Sequence, residues 1–137
     1  YSFHDARINM FLLRVALHHR RNQAALYLHG DYVPLAAQGR DQSRLCAFAR
    51  LHQDQAVVAV APRFLASRET EQAVGSVPED PWQDTSVMVP SWKAGSVYHH
   101  LFTGEGFETT CDGPHQVLQV GAILRHCPVA LLIRSEK

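Results

Sequence analysis

Nine histidines and three cysteines are the residues of this 137-residue chain best suited to bind a metal ion. Four of the histidines form two adjacent pairs, residues 18–19 and 99–100, and neighbouring residues on a helix or a strand point in different directions. Cys111 lies near His115, and His126 precedes Cys127, but neither pair has the repeated two-residue spacing of a structural zinc site. The sequence therefore predicts no metal ion and no other cofactor.

Hydrolytic chemistry has no local signature in the sequence. Ser, His and Asp are all present, yet no G-x-S-x-G segment would expose a nucleophile. Glycoside chemistry needs two carboxylates on opposite sides of a scissile bond. The acids in or beside the predicted strands are Asp84, Glu105, Glu108 and Asp112. Most of them lie in predicted turns, where solvated acids are common, so we assign no catalytic residue.

Three aromatic residues near predicted loops are the candidates for binding sugar. Trp82, Trp92 and Tyr98 could stack on an α-glucan, since an aromatic ring offers a large flat surface with a polar tip. Tryptophan is equally an anchor at the interface between two domains. We favour the anchor for the two tryptophans and keep an α-glucan-binding module as the alternative function.

Composition excludes several classes of partner. The 13 Lys and Arg residues balance 13 Asp and Glu residues, and the basic residues are scattered, so neither a nucleic-acid nor a membrane surface is indicated. No apolar run approaches the roughly 20 residues that span a bilayer, and no signal peptide is recognisable. The cysteines are odd in number and lack a CxxC pair, which favours free thiols in a reducing cytosol. We therefore expect a cytoplasmic protein.

The strongest structural pattern is a β-hairpin over residues 44–64. Two apolar runs flank the polar residues 52–55, and a short polar break between such runs indicates a hairpin. In the second run, residues 56–61, both faces are apolar, which is typical of an interior strand. We expect this hairpin to lie at the centre of a sheet.

The first element is predicted to be a helix over residues 5–21, with Asp5 as N-cap. Its apolar residues follow helical spacing on one face, which Leu13 and Leu17 widen, and it ends in a basic cluster. Such an apolar helix needs a large surface to pack against, so we expect the chain to be part of a longer protein. A second helix is predicted over residues 22–28, with Gly30 as a left-handed exit.

The remainder of the chain is predicted to be short strands joined by turns. Pro34 cannot donate to a sheet, which makes residues 32–36 an edge strand, and residues 64–80 form a long polar loop. Seven or eight strands with regular turn signals predict an antiparallel β-sandwich. The further strands are predicted at residues 85–89, 97–102, 107–110, 116–120 and 129–133.

Six short segments occur in one order along the chain. They are residues 30–35 (GDYVPL), 47–50 (AFAR), 60–63 (VAPR), 82–85 (WQDT), 101–105 (LFTGE) and 128–132 (PVALL). Together they resemble the C-terminal end of the maltooligosyltrehalose synthases, bacterial and archaeal cytoplasmic members of the α-amylase superfamily. The resemblance covers nearly all of this chain and the last small part of the family's longer one. Asn9 stands where the family pattern leads us to expect Lys.

The resemblance implies a division of the chain. Residues 1–30 would correspond to the last helix of a catalytic (β/α)₈ barrel, and residues 31–137 to a Greek-key β-sandwich like domain C of the α-amylases. The fold class is then mostly β, an antiparallel sandwich preceded by an N-terminal helix. The sandwich is expected to cap and stabilise the barrel, which is its expected partner.

The resemblance also implies the reaction of the whole enzyme. The family converts the reducing-end α-1,4 linkage of a maltooligosaccharide into an α,α-1,1 linkage, in trehalose biosynthesis, by intramolecular transglucosylation. This is the chemistry of a retaining glycosidase whose intermediate is intercepted by a sugar hydroxyl. Because the barrel carries the catalytic carboxylates, this chain alone is expected to be inactive. A third hypothesis is an interaction module that dimerises through the apolar face of the first helix.

Overall fold

The computed structural model describes residues 6–63, 82, 84–90 and 96–135. Two helices come first, followed by strands of two sheets with a third, short helix between the last two strands. The helices are α1 (Ala6–Asn22), α2 (Ala24–His29) and α3 (Val120–Ile123), and a 3-10 turn spans Gln42–Arg44. The strands are β1 (Asp31–Pro34), β2 (Ala37–Gln38), β3 (Leu45–His52), β4 (Gln55–Pro62), β5 (Ser86–Val89), β6 (Val97–His100), β7 (Gly106–Glu108), β8 (Thr110–Asp112), β9 (His115–Gln119) and β10 (Ala130–Ser135).

Two antiparallel sheets enclose the core. Within the described residues, the larger sheet has the strand order β1-β3-β4-β10-β6-β7 and the smaller β2-β5-β9-β8. Val58 and Leu132 from the larger sheet belong to the same buried cluster as Val87 and Leu118 from the smaller one. All four side chains are at most 2% exposed. The predicted fold class, a mostly β antiparallel sandwich preceded by a helix, is confirmed.

The central hairpin is confirmed. β3 and β4 pair from Leu45↔Pro62 to His52↔Gln55, and β4 lies between β3 and β10. The turn contains Gln53 at a φ of 55°, a left-handed conformation that is uncommon outside glycine. β1 is at the edge of the larger sheet, as Pro34 predicts.

The predicted role of Gly30 as a left-handed exit is wrong. Gly30 has a φ of −68° and a ψ of 150°, an extended conformation that any residue can adopt. Glycine is needed there for a different reason. A Cβ atom at this position would overlap the carbonyl oxygen of Leu26 and lie 3.1 Å from the carbonyl oxygen of Leu51. Gly30 therefore permits a close approach between the end of α2 and β3.

The single strand predicted at residues 107–110 is two strands. β7 pairs with β6 in the larger sheet, and β8 pairs with β9 in the smaller sheet, so the chain changes sheets at Thr109. The Thr109 amide donates to the Ser96 carbonyl over 3.3 Å at this crossing. The predicted strand at 116–120 is β9, and Val120 instead begins α3, which places Val120 and Ile123 in the core.

Several predictions lie outside the described residues. These are the Asp5 N-cap, the long loop at 64–80 and the surroundings of Trp92. The helix predicted over 5–21 is confirmed as α1, and the second predicted helix is α2. The division at residue 30 stays a prediction.

Candidate docking surface

Trp82 and Tyr98, two of the three predicted sugar-stacking residues, are buried. Tyr98 is 0% exposed and projects from β6 into the core, and Trp82 is 7% exposed in the same cluster. Burial raises the pKa of the Tyr98 phenol to about 12, against a smaller opposing effect of Arg134. Since neither ring has an open face, both act as packing residues in this fold. Sugar stacking stays a prediction for Trp92 alone, which lies outside the described residues.

The four acids considered for glycoside chemistry are spread over loops and strand ends. Asp84, Glu108 and Asp112 are exposed, and Glu105 is half-buried. Asp112 accepts a hydrogen bond of 2.6 Å from the Gln38 side chain, a contact between β8 and β2. Exposure of the first three is expected of acids in turns and at strand ends, and we assign neither a nucleophile nor an acid/base among the four.

His100 is a titratable residue buried in the core. It is 1% exposed, and its Nδ1 accepts a hydrogen bond of 3.2 Å from the Phe102 amide. Its ring also contacts Phe102 and Phe107, with centroids 5.8 Å and 6.5 Å away. Because Nδ1 accepts, a neutral His100 carries its proton on Nε2. Burial lowers the pKa of His100, and Glu105 and the Ile123 backbone only partly oppose this shift.

Metal-ligating residues do not converge in the described part of the chain. Over residues 6–63, 82, 84–90 and 96–135, no three His, Cys, Asp or Glu side chains are grouped as ligands of one ion. Cys46 and Cys111 are exposed free thiols, and Cys127 is a buried one whose pKa is raised by burial. In the same residues, no helix is long and apolar enough to cross a bilayer.

α2 attaches the helical segment, which consists of α1 and α2, to the larger sheet. Leu26 is 2% exposed, and the Arg50 guanidinium of β3 donates to the Tyr27 carbonyl. His19 of α1 shares a hydrogen bond of 2.8 Å with the Tyr27 hydroxyl. Burial lowers the pKa of His19. These contacts set the direction in which α1 leaves the sandwich.

α1 has two apolar sides, whereas the sequence interpretation merged them into one wide face. Its inner side is half-buried and consists of Ile8, Leu12, Val15 and Ala16. Ala16 lines an apolar cavity of about 230 Å³ together with Phe48 and Leu131 on the outer face of the larger sheet. Ala16 therefore faces its own chain, whereas Phe11, next to the inner side, is 51% exposed.

The opposite side of α1 carries the outer stripe, which we define as Met10, Leu13 and Leu17. These side chains are 68%, 57% and 56% exposed, and spacings of three and four residues align them along the helix. Leu28 of α2 is 65% exposed and continues the stripe. The alternation of three- and four-residue spacings was the sequence signal that could have separated this side from the inner one.

Basic side chains flank the outer stripe. α1 contains four arginines and no Asp or Glu, and its last turn holds His19, Arg20 and Arg21. Arg20 and Arg21 line an open groove of about 280 Å³ with Leu17, Ala24 and Leu28. The arrangement can bind an apolar surface bearing negative charge, and it contains no group placed for catalysis.

One solved structure provides a comparison with a known protein. No protein-family model and no curated protein matches the chain. The chain is similar in structure to a mutant of maltooligosyltrehalose synthase from Arthrobacter ramosus, with a TM-score of 0.57 and 25% sequence identity. The match covers 85% of this chain and 12% of that chain, so this chain spans a small part of the matched enzyme's length. The similarity supports a structural relationship to a small part of a larger enzyme.

Proposed function

We propose that this chain is the non-catalytic C-terminal β-sandwich of a maltooligosyltrehalose synthase, together with the helix that precedes it. The observation that carries the proposal is the structural match to such an enzyme over 85% of this chain and 12% of that one. The six ordered segments of the sequence support the same family. The two-part division, residues 1–30 as a barrel helix and 31–137 as the sandwich, belongs to the proposal.

The proposed role is to cap and stabilise the catalytic barrel of the longer protein. The exposed outer stripe supports this role, because three large apolar side chains in line on one helix favour a covering partner. The whole enzyme would convert the reducing end of a maltooligosaccharide into a trehalose unit by intramolecular transglucosylation. The carboxylates for that reaction would come from the barrel, and the sandwich would contribute stability.

A domain exchange tests the proposal. The segment of the Arthrobacter ramosus enzyme that matches this chain is replaced by residues 1–137, and the chimera is compared with the enzyme lacking the segment. We expect the chimera to be soluble, to unfold cooperatively and to form trehalose-ended product from maltopentaose. An unrelated β-sandwich of similar length, joined at the same position, is the control and should not restore activity.

Two results would contradict the proposal. A chimera no more active or stable than the truncated enzyme would show that this chain cannot replace the segment. Product formation from maltopentaose by the isolated chain would show that it carries catalytic groups of its own.

A further inference from the structure

The outer stripe has the residue spacing of a seam, the line of apolar contacts between two paired helices. Met10, Leu13 and Leu17 repeat at the three- and four-residue spacing with which paired helices interlock their side chains. Leu28 extends the seam past the junction with α2, where the groove of about 280 Å³ opens. A partner helix lying along α1 would cover all four side chains.

The positive charge of α1 indicates which charge the partner carries beside its apolar residues. Arg14 and Arg21 each follow a stripe residue by four positions and lie along one side of the stripe, while Arg20 lies on the other side. No acid of α1 offsets them, because Ala6–Asn22 contains no Asp or Glu. Carboxylates beside the partner's apolar residues would meet these guanidinium groups, in the way that flanking charges select partners in coiled coils.

Two other occupants fit the observations less well. A second copy of α1 would bring the same arginines to the seam, and like charges oppose pairing. A membrane-surface helix needs a broad, continuous apolar face, whereas on α1 the exposed Phe11 is separated from the outer stripe by Arg7 and Arg14. The observations favour a protein surface.

We propose that the outer stripe of α1 binds an apolar helical surface flanked by carboxylates, and that the catalytic part of the same longer enzyme supplies it. The identity of the supplier rests on the proposed function, whereas the chemistry of the surface follows from α1 itself. The arginines fix the register of the helix on its partner, and the apolar seam supplies most of the buried area.

Charge reversal in the chimera is the first test. Arg14→Glu with Arg21→Glu should lower its melting temperature and its transglucosylation rate, whereas the same pair should change the melting temperature of the isolated chain much less. The matched control is Arg40→Glu with Arg125→Glu, two exposed arginines away from α1, which should leave the chimera unchanged. Equal losses in the chimera and the isolated chain would overturn the proposal, because the effect would then be internal to the sandwich.

Peptide binding to the isolated chain is the second test, and it does not depend on the proposed function. The probes are two synthetic helical peptides with leucines at seam positions, one with glutamate and one with lysine at the flanking positions. Fluorescence anisotropy should show the glutamate peptide binding about tenfold more tightly, a difference of ~1.4 kcal/mol. The Arg14→Glu, Arg21→Glu chain should reverse the preference, and Leu13→Glu with Leu17→Glu should abolish binding of both peptides.

The combined outcomes separate the two proposals. A chimera that fails while the peptide preference holds removes the proposed function and leaves the chemistry of the stripe. If the chimera is active, charge reversal changes neither its melting temperature nor its rate, and the chain binds the two peptides equally, the present inference is wrong and the proposed function stands. Two other results would also overturn the present inference. One is a dimer of the isolated chain in sedimentation that Leu13→Glu converts to a monomer, and the other is flotation of the chain with vesicles of 30% phosphatidylglycerol in phosphatidylcholine.

Discussion

The core side of the larger sheet and the outer stripe of α1 are both apolar, yet only the core side is covered by the described chain. Val58 and Leu132 are 0% exposed, whereas Leu13 and Leu17 are more than half exposed. Burial of an apolar side chain stabilises a fold by about 1.5–3 kcal/mol, and the exposed leucines contribute little of this to the isolated chain. The difference indicates that α1 is suited to a second surface.

Removing a core side chain should have the largest effect. Leu132→Ala empties a fully buried position on β10, between β4 and β6, and should lower the free energy of unfolding by about 2–5 kcal/mol. Urea denaturation measures the change. A loss below about 1 kcal/mol would mean that Leu132 is not packed in the interior as the structure shows.

Gly30→Ala should have the next largest effect, since it acts where the helical segment joins the sheet. The added Cβ would overlap the Leu26 carbonyl of α2 and crowd the Leu51 carbonyl of β3, so the backbone joining α2 to β1 must shift, at a cost of roughly 1–3 kcal/mol. Gly104→Ala is the matched control. Gly104 has a φ of 79° with nothing within 4 Å of an added Cβ, so only backbone strain of about 1 kcal/mol is expected.

Gly30→Ala should also loosen α2 more than the core, which hydrogen exchange of the α2 amides can measure. Faster exchange confined to α2 would support the close approach at Gly30. Equal protection of α2 in the Gly30→Ala and Gly104→Ala variants would contradict it.

Acid should weaken the sandwich through His100. Burial lowers its folded-state pKa below the ordinary value of 6.5, so near that pH the folded state binds fewer protons than the unfolded state. The stabilisation is therefore present above pH 6.5 and is lost as the pH falls below it. Protonation of His100 Nδ1 would also break the hydrogen bond from the Phe102 amide, because both atoms would then be donors.

Two variants separate His100 from the other titrating groups. His100→Gln should flatten the acid-side fall of the free energy of unfolding, and His99→Gln, at the exposed neighbouring position, should retain it. His19, whose pKa burial also lowers, contributes a fall of the same sign that both variants keep. Identical acid profiles for the two variants would exclude His100 as the cause.

The smallest expected effect is at the outer stripe of the isolated chain. Leu13→Ala truncates a side chain that is 57% exposed, and alanine is the best helix former, so the free energy of unfolding should change by no more than about 0.5 kcal/mol. In the chimera the same change should cost more. An equally small change in both would show that nothing covers the stripe.

The sequence predicts elements whose causes are local. The hairpin of β3 and β4 follows from two apolar runs around a polar turn, and α1 follows from its helical spacing. Features set by distant contacts could not be predicted in this way. The closeness of Gly30 to Leu51 and the change of sheets at Thr109 depend on where other strands lie.

The candidate surface was only partly predictable. Helical spacing identifies α1 as apolar, but the sequence alone does not tell which side its own chain covers. Trp82 and Tyr98 were candidates for an exposed sugar-binding surface, and both are buried. An aromatic residue near a predicted loop can therefore belong to the core. The structure separates these cases through burial.

The most direct test of the proposed function is the activity of the chimera that carries this chain in place of the matching segment of the Arthrobacter ramosus enzyme. We expect trehalose-ended product from maltopentaose, with a loss on charge reversal at Arg14 and Arg21 and none on charge reversal at Arg40 and Arg125. A soluble chimera with no more activity than the truncated enzyme would contradict it.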